Sequence, residues 1–179
     1  MHGIGSFLDQ EHYHKVQAIW HELEITCGLV GIKAAPQPHF SWQVAEKYDL
    51  SRVREVLEEI SCYTQPFIVH TNGLGIFTGE TPVLYIPIVK DTHLCQFHNK
   101  LWEQMLKLSQ GMSPYYSPQE WVPHITLAVG DTTLDNLSCA LQKIAFQSYS
   151  WDITINNLIL AYQPEGQENW EKQRYDFRD

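Results

Sequence analysis

At 179 residues, with 44% hydrophobic and 18% charged residues, the chain reads as one folded domain or two small, intimately packed lobes, not as a disordered segment. Its net charge is −9 and it has no Lys/Arg run, which excludes an extended nucleic-acid footprint, because such surfaces neutralise phosphates with clustered cations. Cys27, Cys62, Cys95 and Cys139 form no Cys-x-x-Cys pair, no leader-like stretch opens the chain, and no apolar run reaches membrane-span length; the expectation is a soluble cytoplasmic protein with reduced thiols.

The pattern predicts an α+β chain. "GIGSFL" (3–8) reads as a first strand. Tyr13, Val16, Ile19, Trp20 and Leu23 then recur at helical spacing from Asp9 to about Cys27, with Gly28 as the stop. After a loop, "HFSWQVAEK" alternates as a strand, with His39, Ser41 and Gln43 on one face and Phe40, Trp42 and Val44 on the other. "DLSRVREVLEEI" (49–60) is an amphipathic helix capped by Asp49. "FIVHTNGLGIF" (67–77) and "PVLYIPIV" (82–89) read as strands, Pro87 marking the second as an edge strand or a bulged one. A helix follows from Leu94 to Leu108, then a Pro- and Tyr-rich loop, the strand "HITLAV", the helix "LDNLSCALQKI" (134–144) and strand residues 151–162. The polar tail 163–179 reads as loose.

Two of these strands open alike. "PHFSWQV" (38–44) and "PHITLAV" (123–129) both read Pro, His, apolar, hydroxyl, then an apolar run ending in Val. Nine His and 20 Ser or Thr give about one His-x-Ser/Thr by accident. Demanding Pro before both His lowers those odds roughly 400-fold, Pro being about one residue in 20. The helices that follow match as well: Leu50 falls on Leu134, Val53 on Leu137, Leu57 on Leu141 and Ile60 on Ile144. Strand–helix–strand is written twice, and a pseudo-two-fold axis would set the equivalent strands on either side of a central cleft, lined by antiparallel sheets.

Such a cleft holds two imidazoles and two hydroxyls. One His takes a proton from the attacking oxygen while the other protonates the leaving oxygen, and an imidazole pKa near ~6.5 suits both roles. Ser41 and Thr126 are placed to donate hydrogen bonds to phosphoryl oxygens. The set suits displacement at phosphorus without a metal. It suits acyl transfer poorly, because no carboxylate is placed to orient either His. The bland alternative is a fold repeat whose His residues are satisfied core groups. Against it, each His shares its strand face with a hydroxyl while large apolar residues point the other way. Tyr115, Tyr116 and Trp121, in the loop before the second motif, are candidates to stack on a base or sugar, or else simply pack that loop down. Gln43 shares the His39 face as a possible substrate contact. His12 and His14 near Glu11 and His21 do not share a helix face as metal ligands would, and His70, His93 and His98 read as surface or edge residues.

The paired motifs on duplicated strand–helix units resemble the two-histidine (2H) phosphoesterase superfamily, the 2′-5′ RNA ligase-like and cyclic phosphodiesterase proteins, over roughly residues 3–162. The resemblance implies a bilobal fold with a central cleft and hydrolysis of 2′,3′-cyclic phosphates or related phosphodiesters with no metal or other cofactor. It implies His39 and His124 as the acid/base pair and Ser41 and Thr126 as phosphate holders. A monomer acting on a nucleotide, a short RNA end or another small cyclic phosphate fits the acidic charge. Three rivals stand beside it. A sensor would bind without turnover, a metal-dependent phosphoesterase would stop in chelator, and an RNA ligase would run the chemistry in reverse.

Overall fold

The computed structural model describes residues 1–35, 37–164, 166 and 169–178. Its strands are β1 (His2–Phe7), β2 (His39–Tyr48), β3 (Phe67–His70), β4 (Gly75–Phe77), β5 (Val83–Pro87), β6 (Ser109–Met112), β7 (His124–Ala128), β8 (Asp152–Ile155), β9 (Asn157–Tyr162) and β10 (Glu171–Asp176). The helices are α1 (Gln10–Cys27), α2 (Leu50–Cys62), α3 (Thr92–Leu106) and α4 (Leu134–Ile144). Their starts follow from side-chain caps: Asp9, Asp49, Asp91 and Thr133 each accept a main-chain N–H of the first turn. Gly28 ends α1 in the left-handed conformation (φ 72°), which a side chain would disfavour.

The strands form two antiparallel sheets and a linking pair. One sheet runs β10-β9-β1-β2-β6, the other β4-β5-β7, and β3 pairs with β8. The duplication is visible in this arrangement: β2 and β7 carry the two motifs in different sheets, and β3 and β8, the strands that follow α2 and α4, pair with each other. The halves also exchange helices. α1 packs on β7 and α4 of the second lobe. α3 lies under β2, where His98 Nε2 meets the Trp42 carbonyl at 3.1 Å. Two further ties cross between the halves. The Asp131 carboxylate accepts the Val30 and Gly31 N–H groups (2.6 and 2.8 Å), and Cys27 is disulfide-bonded to Cys139.

Four expectations need correction. Cys27 and Cys139 are not reduced thiols; they join α1 to α4. The tail is not loose throughout, because β10 adds an edge strand to β9 and buries Tyr175. Of the two readings of Pro87 the edge fails and the bulge holds: β5 is the central strand of its sheet, Pro87 is its last residue and so interrupts no ladder, and a register shift falls between Leu84 and Tyr85 in the pairing with β7. His98 is buried rather than superficial. Among the described residues no helix is long and apolar enough to cross a membrane.

Candidate active site

Each motif strand presents its His and hydroxyl at positions i and i+2, so both leave the same face. On β1, Phe7 opposes His39 and Gly5 opposes Ser41; on β5, Pro87 opposes His124 and Tyr85 opposes Thr126. Directly after each hydroxyl the register slips by one. Ile4 pairs with Gln43 and Gly5 with Ser41, leaving Trp42 as the extra residue, and Leu127 is the extra residue in β7. A bulge breaks strict alternation. Trp42 and Gln43 therefore both turn to the core, and Val44 instead joins His39 and Ser41 on the cleft wall. Gln43 is fully buried with its amide 3.5 Å from the Leu101 carbonyl, so it does not share the His39 face.

The two imidazoles are held in the same way. Nδ1 of His39 lies 2.7 Å from the Gln37 carbonyl, and Nδ1 of His124 lies 2.7 Å from the Val122 carbonyl. A carbonyl only accepts, so each Nδ1 carries the proton and donates it. That tautomer leaves Nε2 as the basic nitrogen. Burial pushes both imidazoles below their ordinary pKa, against the opposing pull of these carbonyl bonds. At His39 the charges of Lys172 and His124 push the same way. β7 lies against β2, and the mutual repulsion means that protonating one imidazole disfavours protonating the other. A pair that prefers one proton to two is suited to act as base and acid together.

The hydroxyl residues are braced symmetrically too. The Trp121 indole donates to the Ser41 carbonyl, and the Trp20 indole donates to the Thr126 carbonyl, each at 3.0 Å. Trp121 is only 2% exposed and stacks on His98 (3.8 Å, 7°) and Trp42 (5.4 Å, 28°). It is a strut behind Ser41, not a stacking surface for substrate. Tyr115 is 79% exposed and stands apart. Tyr116 is half-buried; burial pushes its phenol upward, against an opposing pull from the nearby Ser41 side chain. Of the four expected substrate contacts beyond the hydroxyls, Tyr116 alone keeps its side chain beside the Ser41 hydroxyl, while Trp121 meets Ser41 only at its main-chain carbonyl.

The surroundings of the two His differ. His39 and Ser41 line a trough of about 730 Å³ floored by Gly3, Gly5, Ile159 and Ala161. A Cβ on Gly5 would stand 2.7 Å from the Phe40 carbonyl oxygen, so this floor requires glycine. His124 instead packs beside Phe77 and Tyr85, with ring centroids 4.9 and 5.1 Å away.

Comparison with known proteins gives the family and the fold. The model of the 2′-5′ RNA ligase superfamily matches residues 12–167. The chain belongs to the 2′-5′ RNA ligase superfamily. Among solved structures it is similar to TT0787 of Thermus thermophilus (14% identity, TM-score 0.66, covering 99% of this chain and 97% of that one). It is also similar to a protein described as a phosphoesterase (13%, 0.59, 99% and 98%) and to E. coli LigT, solved with 3′-AMP (13%, 0.58, 99% and 98%). No curated protein matches the chain by sequence. At these identities the neighbours establish the fold alone, and the roles of individual side chains rest on this chain's own geometry.

Sequence reasoning passed over several residues of the site. Phe7, Trp170 and Lys172 line the trough, and Trp20 braces Thr126. Trp20 carried an apolar helical signal that concealed its polar N–H, while Trp170 and Lys172 lay in the segment read as loose.

Proposed function

We propose that the chain is a metal-independent phosphodiesterase opening 2′,3′-cyclic phosphates of nucleotides or short RNA ends, with His39 and His124 as the acid/base pair. The observation that carries this reading is the matched pair of imidazoles. Each is locked by a 2.7 Å bond from Nδ1 to a main-chain carbonyl and followed two residues later by a hydroxyl on the same strand face. Nε2 of the neutral imidazole takes a proton from water as the water oxygen bonds to phosphorus. The P–O bond to one ribose oxygen breaks, and that oxygen receives the Nε2 proton of the imidazolium on the other side. The product is a ribose phosphomonoester, and the proton has moved from one imidazole to the other. Ser41 and Thr126 donate to the non-bridging oxygens and hold phosphorus between the two rings. Burial favours neutral imidazoles, and the negative charge of a bound phosphodiester favours the imidazolium that the leaving group needs. A nucleotide ligand on the related LigT fold supports a nucleoside phosphate as substrate.

The superfamily's description also names ligation, in which a 5′-hydroxyl replaces water as the nucleophile. Incubation with a 2′,3′-cyclic nucleotide in ¹⁸O-water, with and without an excess of 5′-hydroxyl oligonucleotide, separates the two by phosphorus NMR and mass. Hydrolysis places one heavy oxygen in the phosphomonoester and leaves joined RNA a minor product. Predominant joining would assign the ligase role. Saturable binding with neither product would overturn catalysis in favour of a sensor.

A further inference from the structure

Lys172 stands on the cleft face of β10, on a rung that runs Lys172–Ala161–Gly3–Val44 across the sheet. All four residues line the trough. The two middle positions offer only a methyl group and a hydrogen, so an object can lie over the sheet between Lys172 and β2. The neighbouring rung, Arg174–Ile159–Gly5–Ser41, ends on the phosphate-holding hydroxyl. With strands ~4.8 Å apart, the Lys172 backbone stands about 14 Å from β2. Its ammonium group closes part of that distance: Nζ lies 2.9 Å from Oε1 of Gln37, the residue whose main-chain carbonyl fixes His39.

Among the described residues no acidic group neutralises that ammonium, and its hydrogen-bond partner is the neutral Gln37 amide. In a chain of net charge −9, a cation aimed across an apolar trough and left without an acidic partner among the described residues is suited to bind an anion. Burial lowers the pKa of Lys172, a direction that an anionic ligand would reverse. Trp170, two residues earlier and 42% exposed, lines the same trough, with Phe7 near its His39 end. Aromatic walls between two anion-binding points match the plan of a nucleotide, whose base stacks and whose second phosphate lies beyond the sugar.

We propose that Lys172, held by Gln37, is the anchor of a second phosphate subsite, with Trp170 as its aromatic wall, so that the enzyme selects cyclic-phosphate substrates carrying a further phosphate one nucleotide away. The assignment rests on the phosphodiesterase reading of the motif pair. The second phosphate has two sources, the 5′-phosphate of a mononucleotide or the internucleotide phosphate of an RNA end.

The test compares kcat/KM for a nucleoside 2′,3′-cyclic phosphate with a 5′-hydroxyl, the same compound with a 5′-phosphate, and a dinucleotide ending in the cyclic phosphate. Wild type is expected to prefer at least one doubly charged substrate by roughly tenfold, mainly through KM, the size of one charge-assisted contact to phosphate. Whichever is preferred identifies the source. Lys172→Met should bring that ratio close to one, and Lys172→Arg should restore most of it. A preference that survives Lys172→Met, or no preference for either doubly charged substrate, overturns the subsite. Calorimetric binding of a nucleoside 3′,5′-bisphosphate against the 3′-monophosphate reads the subsite without turnover. Loss of the tenfold binding difference in Lys172→Met from a protein that hydrolyses nothing would refute the catalytic reading and keep the subsite. Equal binding of both ligands would refute the subsite whatever the turnover.

Discussion

The two motif strands are alike in their backbone and unlike in what faces them. Both fix Nδ1 of the His on a carbonyl two residues back, both bulge immediately after the hydroxyl, and both rest that hydroxyl residue's carbonyl on an indole N–H. Yet His39 looks onto a glycine-floored trough with a cation on its far strand, while His124 is walled by Phe77 and Tyr85. On the proposed reading, the duplicated features serve displacement at phosphorus and the divergent ones decide which substituent the phosphorus brings with it, so that symmetry would carry the chemistry and its breaking the selectivity.

The largest effects that sharpen this comparison fall on the hydroxyls. Ser41→Ala and Thr126→Ala should each lower kcat about 10²–10³-fold, as loss of one donor to a developing oxyanion does. A tenfold gap between the two variants would show that the phosphate leans on one lobe. Next in size is the tie between the halves. The Cys27–Cys139 bridge joins residues 112 apart in sequence, and its removal in Cys27→Ser should cost about 3 kcal/mol in denaturant unfolding. The brace behind Ser41 is sensitive to acid, whereas the Trp20 brace contains no titrating ring. Burial holds His98 near a pKa of about 4, Lys90 adding to the effect and the Trp42 and Tyr116 carbonyls opposing it. An unfolded His binds its proton near ~6.5, so this contribution is intact above that pH and is lost as pH falls toward 4, up to roughly 3 kcal/mol. His98→Gln should flatten that part of a stability–pH curve. Smaller again are the indole bonds themselves. Trp121→Phe leaves the Ser41 carbonyl without its donor beside a fully buried ring and should cost about 2 kcal/mol, against about 1 kcal/mol for Trp20→Phe, where the indole is only half-buried.

Much of this was legible in the sequence because the motif was written twice. A single His-x-Ser/Thr strand says little, but a second copy followed by a helix of matching phase pointed to the duplicated architecture and to the four residues around which the candidate site is built. The caps at Asp49 and Gly28 were readable for the same local reason: their chemistry is complete within one turn. What failed depended on distance or on a one-residue slip. Gln43 was assigned by strict alternation, and the bulge after Ser41 turned it inward. Trp121 sat in a loop whose path no periodicity describes, and only the fold shows it against His98 and Trp42. β10 alternates Lys172, Arg174 and Asp176 with Gln173 and Tyr175, too polar a strip to announce a strand. Cys27 and Cys139 carry no spacing signal across 112 residues, so only the packing of α1 on α4 reveals the bond.

If the two His act as one metal-free acid/base pair, neither can be spared and no divalent ion is needed. Both conditions are read in a single experiment: hydrolysis of 2′,3′-cyclic nucleotides in excess chelator by wild type, His39→Ala and His124→Ala, with folding of each checked by circular dichroism. Wild-type turnover is expected to survive the chelator, and each variant is expected to lose about 10²–10⁴-fold in kcat. Turnover abolished by the chelator and restored by a divalent ion, or a single His variant that keeps wild-type rates, would contradict the pairing.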